Sequence, residues 1–119
     1  MLILANVLIA LVALLHLYFL VLEMFLWTTP FGRKAFGLKE AFALESRALA
    51  ANQGLYNGFL AAGLVWGLLL GADGFPEKVF FLSCVIVAGV FGGATVSKKI
   101  VIVQAVPAVI ALALVYLSR

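Results

Sequence analysis

Ionisable and amide side chains stand out in this sequence because nearly everything around them is apolar. His16 and Glu23 lie in the long apolar run at the start of the chain. They are about two helical turns apart, so they share one face of a helix, and Tyr18 is not on it. A second set follows in Glu45, Arg47, Asn52, Gln53, Tyr56 and Asn57, with Lys98, Lys99 and Gln104 further on. In water these would be ordinary surface groups. In hydrocarbon each needs a partner, a hydrated cavity or a functional role. His16 and Glu23 can accept protons or contact a polar ligand. They can equally be structural, Glu23 bonding to an amide or cation and His16 to a carbonyl. Asn52, Gln53 and Asn57 can serve a ligand or join helices through bonds typically worth only about 0.6 kcal/mol in a membrane. This cluster of amides beside a tyrosine exceeds what packing needs.

Composition makes hydrocarbon the relevant solvent. Of 119 residues, 66% are hydrophobic and 11% charged, whereas a soluble domain is roughly a quarter charged. The net charge of +3 is small. No basic run carries interleaved aromatics, so nucleic acid is not an expected partner. Cys84 lies inside an apolar run and reads as a packing thiol. It has no partner for an internal disulfide, and no Cys/His cluster points to a metal site. The first segment lacks the cationic start and small-residue cleavage site of a signal peptide, so it reads as a retained helix.

The elements that must position these residues follow from hydropathy. A span needs about 20 apolar residues as helix. Four are expected, at about 2–27, 41–71, 79–96 and 100–117, forming one all-α transmembrane domain over residues 1–119. Residues 28–34 read as a loop broken by proline, glycine and charge, and 72–77 as a tight turn. Short connections imply an up-down-up-down four-helix bundle. Arg33, Lys34, Lys39, Arg47, Lys98 and Lys99 gather on one side, which the positive-inside rule assigns to the cytoplasm. Both termini then face outward. Lys98 and Lys99 could also meet an anionic headgroup.

In the second helix, Glu45, Asn52 and Tyr56 fall on one face, continued by Gly63, Gly67 and Gly71; Arg47, Gly54 and Gly58 fall roughly opposite. Small residues permit close approach of helices in lipid. Two such faces imply protein contact on both, hence a homo-oligomer with this helix near its axis. Gly89, Gly92 and Gly93 read as close-packing positions in the third span. Pro107, one turn after Gln104, predicts a kink in the fourth span, with a freed carbonyl near residue 103.

The pattern His16, Glu23, Trp27, then Asn52-Gln53-Gly54-Leu55-Tyr56-Asn57-Gly58-Phe59-Leu60-Ala61, then Gln104 and Pro107-Ala108 resembles a family of small bacterial membrane proteins with a domain of unknown function. That resemblance implies a bacterial inner membrane and no particular activity. Arg33-Lys34-Ala35-Phe36-Gly37 is similar to the basic loop of the MAPEG family, membrane-associated proteins of eicosanoid and glutathione metabolism. Glu45-x-Arg47, Ala51-Asn52-Gln53 and Phe59-Leu60-Ala61 resemble that family's second helix. The resemblance implies four spans, a trimer, and ligand sites between protomers with Arg47 and Asn52 in the cleft. Leu55 stands where the family has its carboxylate, and the fourth helix lacks the arginine and tyrosine of the glutathione-using members. The non-enzymatic, lipid-binding members are therefore the nearer analogy.

The expected function is binding of a lipophilic or amphipathic ligand between protomers near the cytoplasmic side. His16, Glu23, Arg47, Asn52, Gln53, Tyr56, Asn57 and Gln104 are the candidate contacts, and membrane lipid is a natural partner. The alternatives are a glutathione-dependent transferase, a small proton-coupled transporter using Glu23, and an accessory protein with no ligand.

Overall fold

The computed structural model describes residues 1–119, and every regular element is a helix. α1 (Leu2–Met24) is a run of leucine, valine, alanine and isoleucine without glycine or proline. It stops short of Pro30, whose ring disfavours helical backbone at the residue before it.

Residues expected as a loop instead form a short helix, α2 (Pro30–Phe36). Its signals were local. The Thr29 hydroxyl accepts from the Gly32 N–H at 3.2 Å as N-cap, and Pro30 occupies the first turn, where a missing N–H does no harm. Gly37, at φ 66°, closes the helix by donating its N–H to the carbonyls of Arg33 and Lys34. Gly32, Arg33 and Lys34, which mark a loop by composition, lie inside this helix, and Gly37 ends it.

α3 (Glu40–Leu69) is 30 residues long, or about 45 Å at about 1.5 Å per residue. It ends before Gly71, the expected last residue of the second span. Gly71 has φ 63° and belongs to a 3-10 turn, Gly71–Gly74. It therefore does not extend the glycine stripe of Gly63 and Gly67. α4 (Phe75–Thr95) begins within the expected 72–77 turn, with Pro76 in its first turn.

The fourth expected span is compound. A single turn, α5 (Lys98–Ile100), starts where the Ser97 hydroxyl accepts from the Lys99 N–H. A π turn at Val101–Ala105 follows, then α6 (Val106–Leu117). The Val106 N–H reaches back five residues to the Val101 carbonyl. Sequence predicted a kink at Pro107. The structure places a widened turn immediately before that proline, one of the known ways a helix is perturbed.

Three segments are long and apolar enough to cross a membrane: Leu2–Met24, Gly71–Thr95 and Lys98–Leu117. α3 is long enough but is not among them. It carries Glu40, Glu45, Arg47, Asn52, Gln53 and Asn57 along its first two-thirds. Large apolar side chains such as Ile3, Leu14, Val87, Phe91 and Ile102 stand exposed. That outward surface is consistent with a membrane protein, because lipid, unlike water, does not penalise it.

The chain divides into two compact units. One comprises residues 1–14 and 60–119. Its core joins Ala5, Ile9, Leu64, Leu82, Val85, Ala108 and Ala111. Close approach is built in with small residues: a Cβ on Gly89 would come within 2.8 Å of the Ala105 backbone nitrogen. The second unit, residues 15–59, contains the end of α1, all of α2 and the first part of α3.

Candidate functional site

Within the unit of residues 15–59, the end of α1 and the middle of α3 meet over glycine. A Cβ on Gly54 would lie 2.6 Å from Met24 Cγ, 3.1 Å from Glu23 Cβ and 3.2 Å from the Leu20 carbonyl oxygen. Gly58, one turn on, faces Leu20. That proximity brings two polar side chains together. The Asn57 amide nitrogen donates to Glu23 Oε1 at 2.5 Å. Asn57 is 6% exposed and Glu23 partly buried. The carboxylate's partner is thus a neutral amide, and Glu23 forms no salt bridge.

Neighbouring contacts brace this pair. Trp27 Nε1 donates to Ser46 Oγ at 3.0 Å, and the Trp27 ring lies 5.0 Å from that of Phe36. These contacts tie the end of α1 and α2 to the start of α3. His16 is fully buried, with Phe19 edge-on at 5.7 Å.

Of the sequence-derived candidates, the structure joins Glu23 and Asn57. Arg47, Asn52, Gln53 and Tyr56 are exposed on α3, with Tyr56 beside Phe59. Helical arithmetic accounts for the separation: Gly54, Asn57 and Gly58 share the inward face, Asn52 and Tyr56 point roughly opposite, and Gln53, one turn before Asn57, lies exposed at the edge of that face. Gln104 lies in the π turn of the other unit and is partly buried.

Both small-residue faces of α3 are met by helices of the same chain. Gly54 and Gly58 face α1, while Gly63 faces Phe81 and Gly67 faces Lys78, both on α4. The glycines therefore do not require a second subunit.

Sequence reasoning missed Lys78 and Asn6. Neither is among the candidates that residue type and spacing single out in the sequence. Lys78 is 3% exposed and donates to Asn6 Oδ1 at 3.0 Å and to the Gly71 carbonyl at 3.2 Å. The available signal was an amide early in an apolar helix, a group that hydrocarbon does not solvate.

A family model described as a protein of unknown function, DUF1304, matches residues 10–116. The chain belongs to the DUF1304 family. A relative is the uncharacterised protein YpaA of Lactococcus lactis subsp. lactis (strain IL1403). It is 32% identical over 114 residues, covering 94% of this chain and 96% of the relative. No solved structure matches this DUF1304 chain at a significant level. In DUF1304 terms the matched region takes in Glu23, Asn57 and Lys78, but not Asn6.

Proposed function

We propose that this chain is a polytopic inner-membrane protein that binds an amphipathic molecule beside Glu23 and Asn57. The supporting observation is a partly buried carboxylate whose hydrogen bond comes from a neutral amide and not from a cation. A carboxylate has further acceptor capacity after one such bond. The polar head that complements it is a donor, such as an amine or hydroxyl. Gln53, exposed one turn before Asn57, offers an additional contact, whereas Asn52 and Tyr56 face the other way on α3 and would serve a site between protomers. That arrangement, with four spans, loops one and three in the cytoplasm and a trimer, is the one the MAPEG resemblance implies.

Tryptophan fluorescence tests this. In a Trp66→Phe background, Trp27 reports on the end of α1. Titration with dodecylamine should give a saturable change. Glu23→Gln should weaken it by about tenfold, the equivalent of about 1.4 kcal/mol and of one charge-assisted contact. Non-saturable partitioning, identical in Glu23→Gln, would discard the proposal. Glutathione fits less well: its carboxylates and thiolate would face Glu23, and Arg47 stands about 15 Å along α3 from Asn57.

The same uncompensated carboxylate favours a second function, proton-coupled exchange, because a group without a cationic partner can gain and lose a proton without breaking an ion pair. Proton flux into liposomes that Glu23→Gln leaves unchanged would remove it.

A further inference from the structure

In the unit of residues 1–14 and 60–119, a cavity of about 260 Å³ lies beside the first turn of α4. Leu2, Phe75 and Val115 give it apolar walls, and Lys78, Ser118 and Arg119 give it polar ones. Lys78 is almost wholly buried, yet both its acceptors, Asn6 Oδ1 and the Gly71 carbonyl, are neutral. An ammonium has three N–H donors, so one remains. The Arg119 guanidinium rests 4.4 Å from the centre of the Phe75 ring. Neither cation forms a salt bridge with Asp73, Glu77 or any other carboxylate. The Ser118 hydroxyl donates to the Val115 carbonyl, which leaves its oxygen lone pairs and no proton for an incoming group.

Two cations lining one cavity without a salt bridge are the wrong arrangement for stability alone. A buried charge is costly unless paired, and an apolar residue of similar volume would pack at least as well as Lys78. Phe75 holds Arg119 at the cavity wall by a cation–π contact, which leaves the edge of the guanidinium free to donate hydrogen bonds. The volume is just below the roughly 300 Å³ at which pockets begin to enclose drug-sized molecules. It suits a head group, with the remainder of the ligand outside.

We propose that this cavity is a site for an oxyanion head, phosphoryl or carboxylate, held by Lys78 Nζ and Arg119. Where the head belongs to a lipid, its glycerol and acyl portions lie along Leu2, Phe75 and Val115. The site is separate from Glu23 and Asn57, and it wants the opposite ligand charge.

Thermal unfolding of the full chain in a non-ionic detergent tests it, with phosphatidylglycerol, phosphatidylcholine and inorganic phosphate as probes. Phosphatidylglycerol should raise the midpoint saturably and phosphatidylcholine should not. Arg119→Gln should weaken that response about tenfold, the effect of losing one charge-assisted hydrogen bond. Lys34→Gln/Lys39→Gln, at two exposed lysines outside this unit, should leave it unchanged, which separates a built site from general attraction to cations. Lys78→Met, if folded, should lose the response; if it does not fold, Arg119→Gln decides. Saturable protection by inorganic phosphate with the same Arg119 dependence assigns the site to a free oxyanion. Protection by phosphatidylglycerol alone assigns it to a lipid head. An Arg119→Gln protein that titrates like the wild type, or equal responses to both lipids with none to phosphate, overturns the proposal.

Discussion

Glu23 and Asn57 are 34 residues apart in sequence, and the side-chain amide of Asn57 donates to the carboxylate of Glu23. The contact exists because Gly54, one turn before Asn57 on α3, has no Cβ to hold α1 away. One hydrogen bond thus depends on one glycine.

Removing one member of the pair should cost more than removing both. Asn57→Leu leaves a partly buried carboxylate without its donor, a loss of about 1–3 kcal/mol. Glu23→Gln retains an acceptor for Asn57 and should change stability little. Glu23→Leu/Asn57→Leu should recover much of the single-mutant loss. A double-mutant cycle from unfolding in detergent measures the coupling; additive effects would show that the bond contributes nothing.

Gly54 and Gly58 should differ in tolerance. A Cβ at Gly54 meets Met24, Glu23 and the Leu20 carbonyl, the last being backbone that cannot rotate away. At Gly58 it meets only the Cδ1 end of the Leu20 side chain. Gly54→Ala should therefore lose about 1–3 kcal/mol, the range for overpacking, and Gly58→Ala distinctly less. Trp27 fluorescence should shift in the first variant and hold in the second.

Thr29→Ala should loosen α2 without unfolding the rest. It removes the N-cap acceptor for the Gly32 N–H, a change worth about 1 kcal/mol. Faster amide hydrogen exchange at residues 30–36, with α4 unaffected, is the expected pattern.

The π turn gives a similar contrast in the other unit. A Cβ on Gly89 would press on the Ala105 backbone nitrogen at 2.8 Å and Cα at 3.1 Å, whereas one on Gly92 would meet the Ile100 side chain. Gly89→Ala should lower stability by about 1–3 kcal/mol. Gly92→Ala should lower it less, because a side chain can turn aside.

Asn6→Leu should destabilise the unit of residues 1–14 and 60–119. It removes one of the two acceptors of the buried Lys78 ammonium, and hydrogen bonds to charged groups contribute about 1.5–3 kcal/mol. Asn6→Leu/Lys78→Met should regain part of that loss, since the charge then disappears with its acceptor. Thermal unfolding of the two variants makes the comparison.

The sequence by itself determined the class of fold. Long, mainly apolar runs around Leu2–Met24, within Gly71–Thr95 and within Lys98–Leu117 point to helices long enough to cross a membrane, where hydrocarbon would supply no partners for an unpaired backbone. It also marked Glu23 and Asn57 as residues that in hydrocarbon need a partner, a hydrated cavity or a functional role. The cap signals of α2 are legible too, in Thr29-Pro30 and Gly37, but the same proline, glycine and charge equally mark a loop. Tertiary structure alone decided which polar groups meet. Asn52, Gln53 and Asn57 carry the same amide group, and only Asn57 is buried on the side of α3 that Gly54 brings against α1. Tertiary structure also placed Lys78 beside Asn6 from residues 72 positions apart. Periodicity along one helix states which residues share a face, and it carries no information about which face of another helix stands opposite. That choice depends on small residues and side-chain shapes meeting across the whole chain.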